Sequence, residues 1–445
     1  MSPFYGDRMY ALLKRLFPIC RSITGEGLRE TLCILGEEIP LNMSEVPTGT
    51  KCFDWEIPKE WVITGATLKD PTGAVLADFK AHNLHVVNYS TGIRRCMSLS
   101  ELRPHLHTRE GLPEAIPYVT SYYQDNWGFC LPHRIVESLP EGDYEVAIDA
   151  AHVPGSLTYA DCLLPGKETA EVVISCYVCH PSMANDSLSG VVVATQLAKL
   201  LRERKRRFSY RFIFVPETIG AIAYLAQHGD HLKAHTHAGL VLTCCGDQGD
   251  FTYKRSRRGT AVIDRIVEHV LRHSGYRHDL IDFHPRGSDE RQYCSPGFDL
   301  PVGGLTRTPY ERFKEYHTSL DNLDFVSREP LGETLDVCLQ VVDALEANAC
   351  YARTEPHCEP QLGKRGLYPQ VGDAGMPEEH RREVDTLLCL LNYCDGTRDL
   401  LWIADRLGVP ITGVARHCGK LIEAGLLARA GGSGDSIGVV EGRKP

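Results

Sequence analysis

The sequence has no apolar run long enough to span a bilayer and no excess of positive charge. The first absence argues against a membrane-spanning helix. The second amounts to 48 basic against 58 acidic side chains, a formal charge of −10. Nothing in that balance favours non-specific binding to nucleic acid or to anionic lipid. The opening stretch MSPFYGDRMYALLKRLFPICRSITG also lacks the apolar core of an export signal, because Asp7, Arg8, Lys14 and Arg15 interrupt it. These absences predict a cytoplasmic protein with no membrane partner. A second C-x-x-C is missing too, although 17 cysteines are scattered from Cys20 to Cys418. A structural zinc site needs another ligand pair, so that reading falls. In a reducing compartment most of these cysteines read as small buried hydrophobes.

What is present starts with CYVCHPSMANDSLSG, Cys176 to Gly190. C-x-x-C-H is the spacing of a c-type haem attachment site. Such attachment goes with export, and the surroundings are not those of a thioredoxin-like redox pair. The two cysteines are therefore read as incidental, and His180 as the residue that matters. Asp186 follows it within Asn-Asp-x-x-Ser-Gly.

The chain changes texture along its length. Residues 1–50 read as helical. Residues 51–129 hold short alternating segments around Gly, Pro and Asn, the pattern of a small inserted β-rich domain. Residues 130–350 alternate buried strands (EVVISCYV, YRFIFV, HAGLVLTCC) with amphipathic helices (SGVVVATQLAKLLRER, LGETLDVCLQVVDALEANA). This predicts an α/β fold: a mostly parallel sheet flanked by helices, joined with residues 1–50 into one catalytic domain. A Pro- and Gly-rich linker follows over 351–378. Residues 379–445 read as a winged-helix module of three short helices and a Gly-rich, hairpin-like end. Its last helix carries only Arg416, His417 and Lys420 as basic groups, so a structural or contact role is favoured over DNA reading, and no nucleic-acid partner is expected.

Open α/β sheets bind ligands at the carboxyl ends of their strands. His180 and Asp186 follow EVVISCYV, Glu217 follows YRFIFV after Pro216, and His317 lies in KEYHTSLDNLD before the closing helix. Singly, each has an ordinary reading: a loop histidine, a helix cap, a surface carboxylate. Together, two His and one carboxylate are three zinc-type ligands that leave a position open. A nearby Glu outside the ligand set suits a general base.

The order H…NDxxSG…PETxG…GSDE…YHTxxDNLD resembles the zinc aminopeptidase superfamily, which includes glutaminyl cyclases and glutamate carboxypeptidases. RSITGEG, PTGTKCFDWEIPKEW, IPYVTSYYQDNWGFC and CHPSMANDSLSG resemble, more narrowly, its bacterial aminopeptidase-like domain proteins. The resemblance implies a zinc-aminopeptidase-like core and, in the superfamily at large, two zinc ions bridged by an Asp. His180 and His317 match His ligands, Asp186 the bridging Asp and Glu217 the general base. Thr218 stands where a ligand Glu is expected, Thr243 where a ligand Asp is expected, and Ser182 where an Asp often braces the site. Asp247 is a possible substitute ligand. With two carboxylates lost, one zinc per chain is expected. Tyr316 is assigned to oxyanion stabilisation, and Asp289, Arg291, Arg255 and Arg257 to substrate binding. Asp321 is read as the cap of the closing helix. The expected activity is hydrolysis of amide or peptide bonds, on a peptide or a small amide, in a chain that can form a homo-oligomer. Two alternatives stand beside it: a deacylase, amidohydrolase or cyclase acting on a small biosynthetic intermediate, and a non-catalytic binding or regulatory protein.

Overall fold

Glu171–Tyr177 is buried at every position, as a strand covered on both faces must be. In the computed structural model, which describes residues 3–367 and 378–430, it lies inside an eight-stranded sheet. In chain order the strands are β1 Asn42–Pro47, β2 Ser156–Leu164, β3 Glu171–Tyr177, β4 Ser209–Val215, β5 Thr236–Leu242, β6 Phe251–Lys254, β7 His278–Ile281 and β8 Val302–Thr306. Across the sheet they run β1-β2-β4-β3-β5-β8-β6-β7. The pairs β3–β4, β3–β5, β5–β8 and β6–β7 are parallel. The pairs β1–β2, β2–β4 and β6–β8 are antiparallel.

The accompanying helices are α1 Pro3–Leu16, α2 Glu26–Gly36, α3 Gly190–Arg202, α4 Ile219–His235, α5 Val262–Ser274 and α6 Arg328–Ala347. Helix α3 is buried from Gly190 through Ala198. Its first residue has to be glycine, since a Cβ there would lie 2.2 Å from the Leu242 carbonyl oxygen at the end of β5. The predicted α/β sheet is thus observed, with antiparallel pairing near both edges.

The chain divides into two units, Met1–Val341 and Val342–Pro445. Within the first, a four-stranded antiparallel sheet forms the insertion, in the order Val75–Asp78, Glu60–Lys69, Asp143–Val153, Ile93–Ser98. It has its own core, including Leu68, Phe129, Tyr144 and Val146. The expected boundary at residue 129 is too early. Asp143–Val153 pairs with both Glu60–Lys69 and Ile93–Ser98 and belongs to the insertion. The alternation of this strand resembles that of the strands that follow it, and only its distant partners tell them apart.

Among its described residues the second unit holds three α-helices, Glu378–Tyr393, Leu400–Leu407 and Ile411–Glu423. Cys350–Arg353, expected at the head of the linker, is instead the central strand of a three-stranded sheet with Asp395–Asp399 and Leu427–Arg429. Asp399 caps its helix by accepting from the Trp402 N–H at 2.9 Å. The expected hairpin-like end lies outside the described residues. Among the described residues no helix is long and apolar enough to cross a membrane.

Candidate functional site

The four residues singled out at strand ends converge. His180 lies three residues beyond β3, Glu217 two beyond β4, and β5 ends next to Thr243. His180 Nε2 is 4.0 Å from Asp186 Oδ2, and His317 Nε2 is 3.1 Å from the same oxygen. One ligand atom from each of these three residues lies within 4.8 Å of the others. Asp186 Oδ2 and His317 Nε2 are both buried, and beyond this 3.1 Å approach to each other neither has a hydrogen-bond partner. Buried polar atoms are rarely left that way, and a cation between the three side chains would satisfy them. The residues present therefore fit a zinc ion: two imidazoles and one carboxylate. Burial pulls the His180 imidazole down to about 4, which keeps it neutral. For Asp186, burial works against ionisation. His180, His317 and the Tyr177 hydroxyl outweigh it and hold the carboxyl at about 2.

The backbone around these groups is fixed by residues far away in sequence. Arg21 of RSITG is fully buried and donates through Nε to the His180 carbonyl at 2.9 Å. Asp321 is not the cap of α6, which starts at Arg328. Its buried carboxylate accepts from the backbone N–H groups of Asn185 at 2.6 Å and Asp186 at 2.9 Å. A carboxylate that collects two N–H donors in the interior fixes the loop carrying Asp186. Asn185 in turn accepts from Gly246 N–H and donates to Asp247. Asp247 also accepts from the Thr308 hydroxyl and the Gly249 N–H, at 2.6 and 2.7 Å. It is thereby committed to bracing and stands outside the three-residue cluster.

The position of the expected second carboxylate is also taken. Thr243 Oγ1 donates to the Tyr177 hydroxyl at 2.6 Å, and that hydroxyl donates to Asp186 Oδ1. The Asp186 oxygen turned away from the histidines is occupied by this hydroxyl chain. Ser182, at the expected bracing position, donates instead to the Phe17 carbonyl.

Glu217 lies 3.8 Å from His180 Nε2, with its side chain 26% exposed. Burial, then the Asp289 and Asp186 carboxylates, raise its affinity for a proton well above that of a free Glu. It sits on a tight γ-turn, with the Ile219 N–H donating to the Glu217 carbonyl at 2.8 Å and Thr218 at φ 64°, ψ −79°. This conformation costs a β-branched residue about 1–3 kcal/mol. Three contacts hold it. Thr218 N–H donates to Asp289 Oδ1 at 2.7 Å, Arg291 Nη2 donates to Thr218 Oγ1 at 2.7 Å, and Cys179 Sγ accepts the Glu217 N–H at 3.2 Å. Burial pushes the Cys179 and Cys176 thiols up, so both stay protonated. Cys179 is nevertheless a packing group of the site.

Two cavities meet at Glu217. One, of about 340 Å³, is walled by Trp55, Tyr118, Tyr122, Tyr123 and Ile23, with His180 and His317. The other, of about 190 Å³, is lined by Tyr177, Arg291, Tyr310 and Tyr316 among others. The Tyr316 ring stacks on His317 at 3.9 Å, and burial holds its hydroxyl firmly protonated. Asp289 lies beneath the turn, fully buried, with its carboxyl raised by burial to about 7. Arg255 and Arg257 are not brought to either cavity. Arg255 pairs with Asp282 at 2.7 Å and Glu268 at 3.4 Å, and Arg257 with Asp299 at 2.9 Å. The basic turn they belong to is neutralised by acids brought near only by folding.

Sequence reasoning missed Tyr118, Tyr122, Tyr177 and Asp321. Tyr118 flanks both histidine rings, with centroids 5.3 Å from His180 and 5.2 Å from His317. The Tyr-rich run IPYVTSYYQDNWG was its one available signal.

The fold and this site define an aminopeptidase-like protein. The family model described as "Domain of unknown function (DUF4910)" matches residues 10–348, and a winged helix-turn-helix model matches residues 349–429. A Clostridium acetobutylicum protein, provisionally named a polysaccharide biosynthesis protein with aminopeptidase-like domain, is 46% identical over 91% of this chain and 92% of its own. The chain belongs to that family. A crystal structure from Clostridium acetobutylicum, provisionally described as a peptidase, has 44% identity and a TM-score of 0.90 over 96% of this chain and 97% of that one. The zinc aminopeptidase of Bacillus subtilis shares the fold at 13% identity, with a TM-score of 0.54 over 76% of this chain and 94% of its own.

Proposed function

We propose that the protein is a metallohydrolase of amide bonds, aminopeptidase-like, with one zinc per chain held by His180, Asp186 and His317. The observation that carries this reading is the convergence of His180, Asp186 and His317 beside Glu217, where Asp186 Oδ2 and His317 Nε2 are buried with no hydrogen-bond partner beyond their 3.1 Å approach to each other. When bound, zinc supplies Lewis acidity, polarising an amide carbonyl and acidifying water. Glu217 accepts a proton from the attacking water and hands it to the leaving amine. The γ-turn keeps its carboxyl in place. The Tyr316 hydroxyl, protonated throughout, donates to the developing oxyanion. The hydroxyl chain from Thr243 through Tyr177 supports a single metal, because it engages the Asp186 oxygen that a bridging role would require.

A small amide is favoured over a protein substrate by the two modest cavities at Glu217. The name of the Clostridium relative agrees with a biosynthetic intermediate as the compound cleaved or cyclised. A purely binding role accounts less well for the unpartnered atoms and the strained turn at Glu217.

The test is Glu217→Gln, assayed against a library of aminoacyl amides, N-acyl compounds and short peptides. The variant is nearly isosteric, so it should keep one zinc and its substrate affinity while turnover falls by roughly 10²–10⁴-fold. Unchanged turnover with zinc retained would remove Glu217 from the chemistry. Zinc loss would make it a ligand.

A further inference from the structure

The smaller cavity at Glu217 has a chemistry of its own. Arg286, Ser288, Arg291, Tyr310 and Tyr316 line it, so donors dominate. Most cations around it are neutralised. Arg286 pairs with Glu311 at 2.6 Å, and the buried Lys254 behind it pairs with Glu290 at 2.7 Å. Arg291 differs. Among the described residues it makes no ion pair; one Nη donates to Thr218, and its Nε is buried with no partner. Ser288 is 2% exposed, and its hydroxyl is likewise without a partner. Glu217 and Asp289 feel this charge at a distance, but neither forms an ion pair or a hydrogen bond with the guanidinium. Gly287 lets the backbone of this wall pack closely against its neighbours. A Cβ on Gly287 would lie 2.0 Å from the Tyr310 hydroxyl oxygen and 2.6 Å from Lys254 Nζ.

An unspent guanidinium edge and an unspent hydroxyl call for one ligand that accepts from both. The planar Arg fork matches a carboxylate, and about 190 Å³ admits a carboxylate on a short carbon stem. We infer that this cavity is a carboxylate subsite, so that the compound bound at Glu217 is a small acidic amide. That the compound is a substrate rests on the hydrolase reading. That an acid binds here does not.

The experiment is calorimetric binding of matched probes, N-acetyl amino acids and their C-terminal carboxamides, to the full chain in metal-stripped and zinc-loaded form. The acids should bind about 10- to 100-fold more tightly than the amides, the range for a hydrogen bond to a charged group. The preference should persist without metal, vanish in Arg291→Gln and survive in part in Arg291→Lys. Arg291 also supports the Thr218 turn, so Thr218→Ala serves as the second variant. It removes that contact, keeps the guanidinium and should keep the acid preference. Equal binding of acid and amide would overturn the proposal. So would a preference seen only with zinc present, which would place the carboxylate on the metal, or one retained in folded Arg291→Gln. Acid preference without turnover of any amide would sink the hydrolase reading and leave the subsite standing. Turnover of neutral amides without acid preference would do the reverse.

Discussion

The β-rich insertion and the C-terminal unit are both additions to the α/β sheet, and they differ in what they give to the site. The insertion reaches into it. Tyr118 N–H donates to the His317 carbonyl at 2.8 Å, Ser319 N–H donates to the Ile116 carbonyl at 2.8 Å, and Arg109 donates to the Tyr316 carbonyl at 2.9 Å. Pro117 and Thr318 form an antiparallel bridge. The loop carrying His317, where that residue sits at φ 54°, is thus clamped by backbone from a segment about 200 positions earlier. The insertion also supplies the wall of Tyr118, Tyr122 and Tyr123. By contrast, every residue lining the two cavities and every member of the three-residue cluster precedes Val342. An inserted module that hydrogen-bonds to the loop carrying His317 is part of the candidate site, whereas a module placed after the last of the three clustered residues is free to do something else.

The sharpest test of this division is at the ligands themselves. His180→Ala should abolish zinc binding, measured as metal per chain after gel filtration. Replacing Cys176 and Cys179 together by Ser should leave the metal in place, because Ser can still accept the Glu217 N–H that Cys179 takes at 3.2 Å. If the cysteine pair carried the metal instead, the opposite result would follow.

The next effect falls within the insertion. Tyr118→Ala removes a ring packed against both His180 and His317, and its hydroxyl contact to Tyr122 at 2.9 Å. Groups behind the ligands usually carry a 10- to 100-fold effect on metal affinity, and a loss of about 10-fold is expected here. Competition with a chelator reads this directly. An unchanged zinc affinity would reduce the insertion to a substrate wall and blur the contrast with the C-terminal unit.

How far this division can be read from the sequence differs from residue to residue. His180, Asp186, Glu217 and His317 stand at strand ends in a recognisable order, and local pattern suffices to find them. Asp321 does not, because an Asp a few residues before a helix looks like a cap whether or not it is one. Its real partners, the N–H groups of Asn185 and Asp186, are more than 130 positions away. Arg255 and Arg257 fail for the same reason: a run of basic residues looks available until Asp282 and Asp299 fold against it. The insertion's boundary is hard to place because Asp143–Val153 finds its partners 45 to 93 residues back. In each case the missing information is a long-range pairing that one sequence does not display.

The smallest expected effect is at the C-terminal unit. A chain ending at Ala349 keeps α6, which runs to Ala347, and stops just before Cys350–Arg353, the central strand of the removed sheet. No residue of the cluster or of either cavity is lost. Zinc content should remain at one per chain, and turnover of any substrate found should be unchanged. Loss of metal from a folded truncated chain, or failure of the truncated chain to fold, would show that the second unit supports the first and would end the contrast drawn above. For that unit we propose a contact role rather than DNA reading. In the helix Ile411–Glu423, Lys420 pairs with Glu383 at 2.5 Å and burial lowers the proton affinity of His417, so two of its three basic groups offer a phosphate little free charge. A duplex-binding helix keeps such charge for phosphates. Residues 379–445 should therefore show only weak, sequence-independent affinity for duplex DNA at physiological salt. A specific Kd in the range of about 10⁻⁸–10⁻¹¹ M would overturn this.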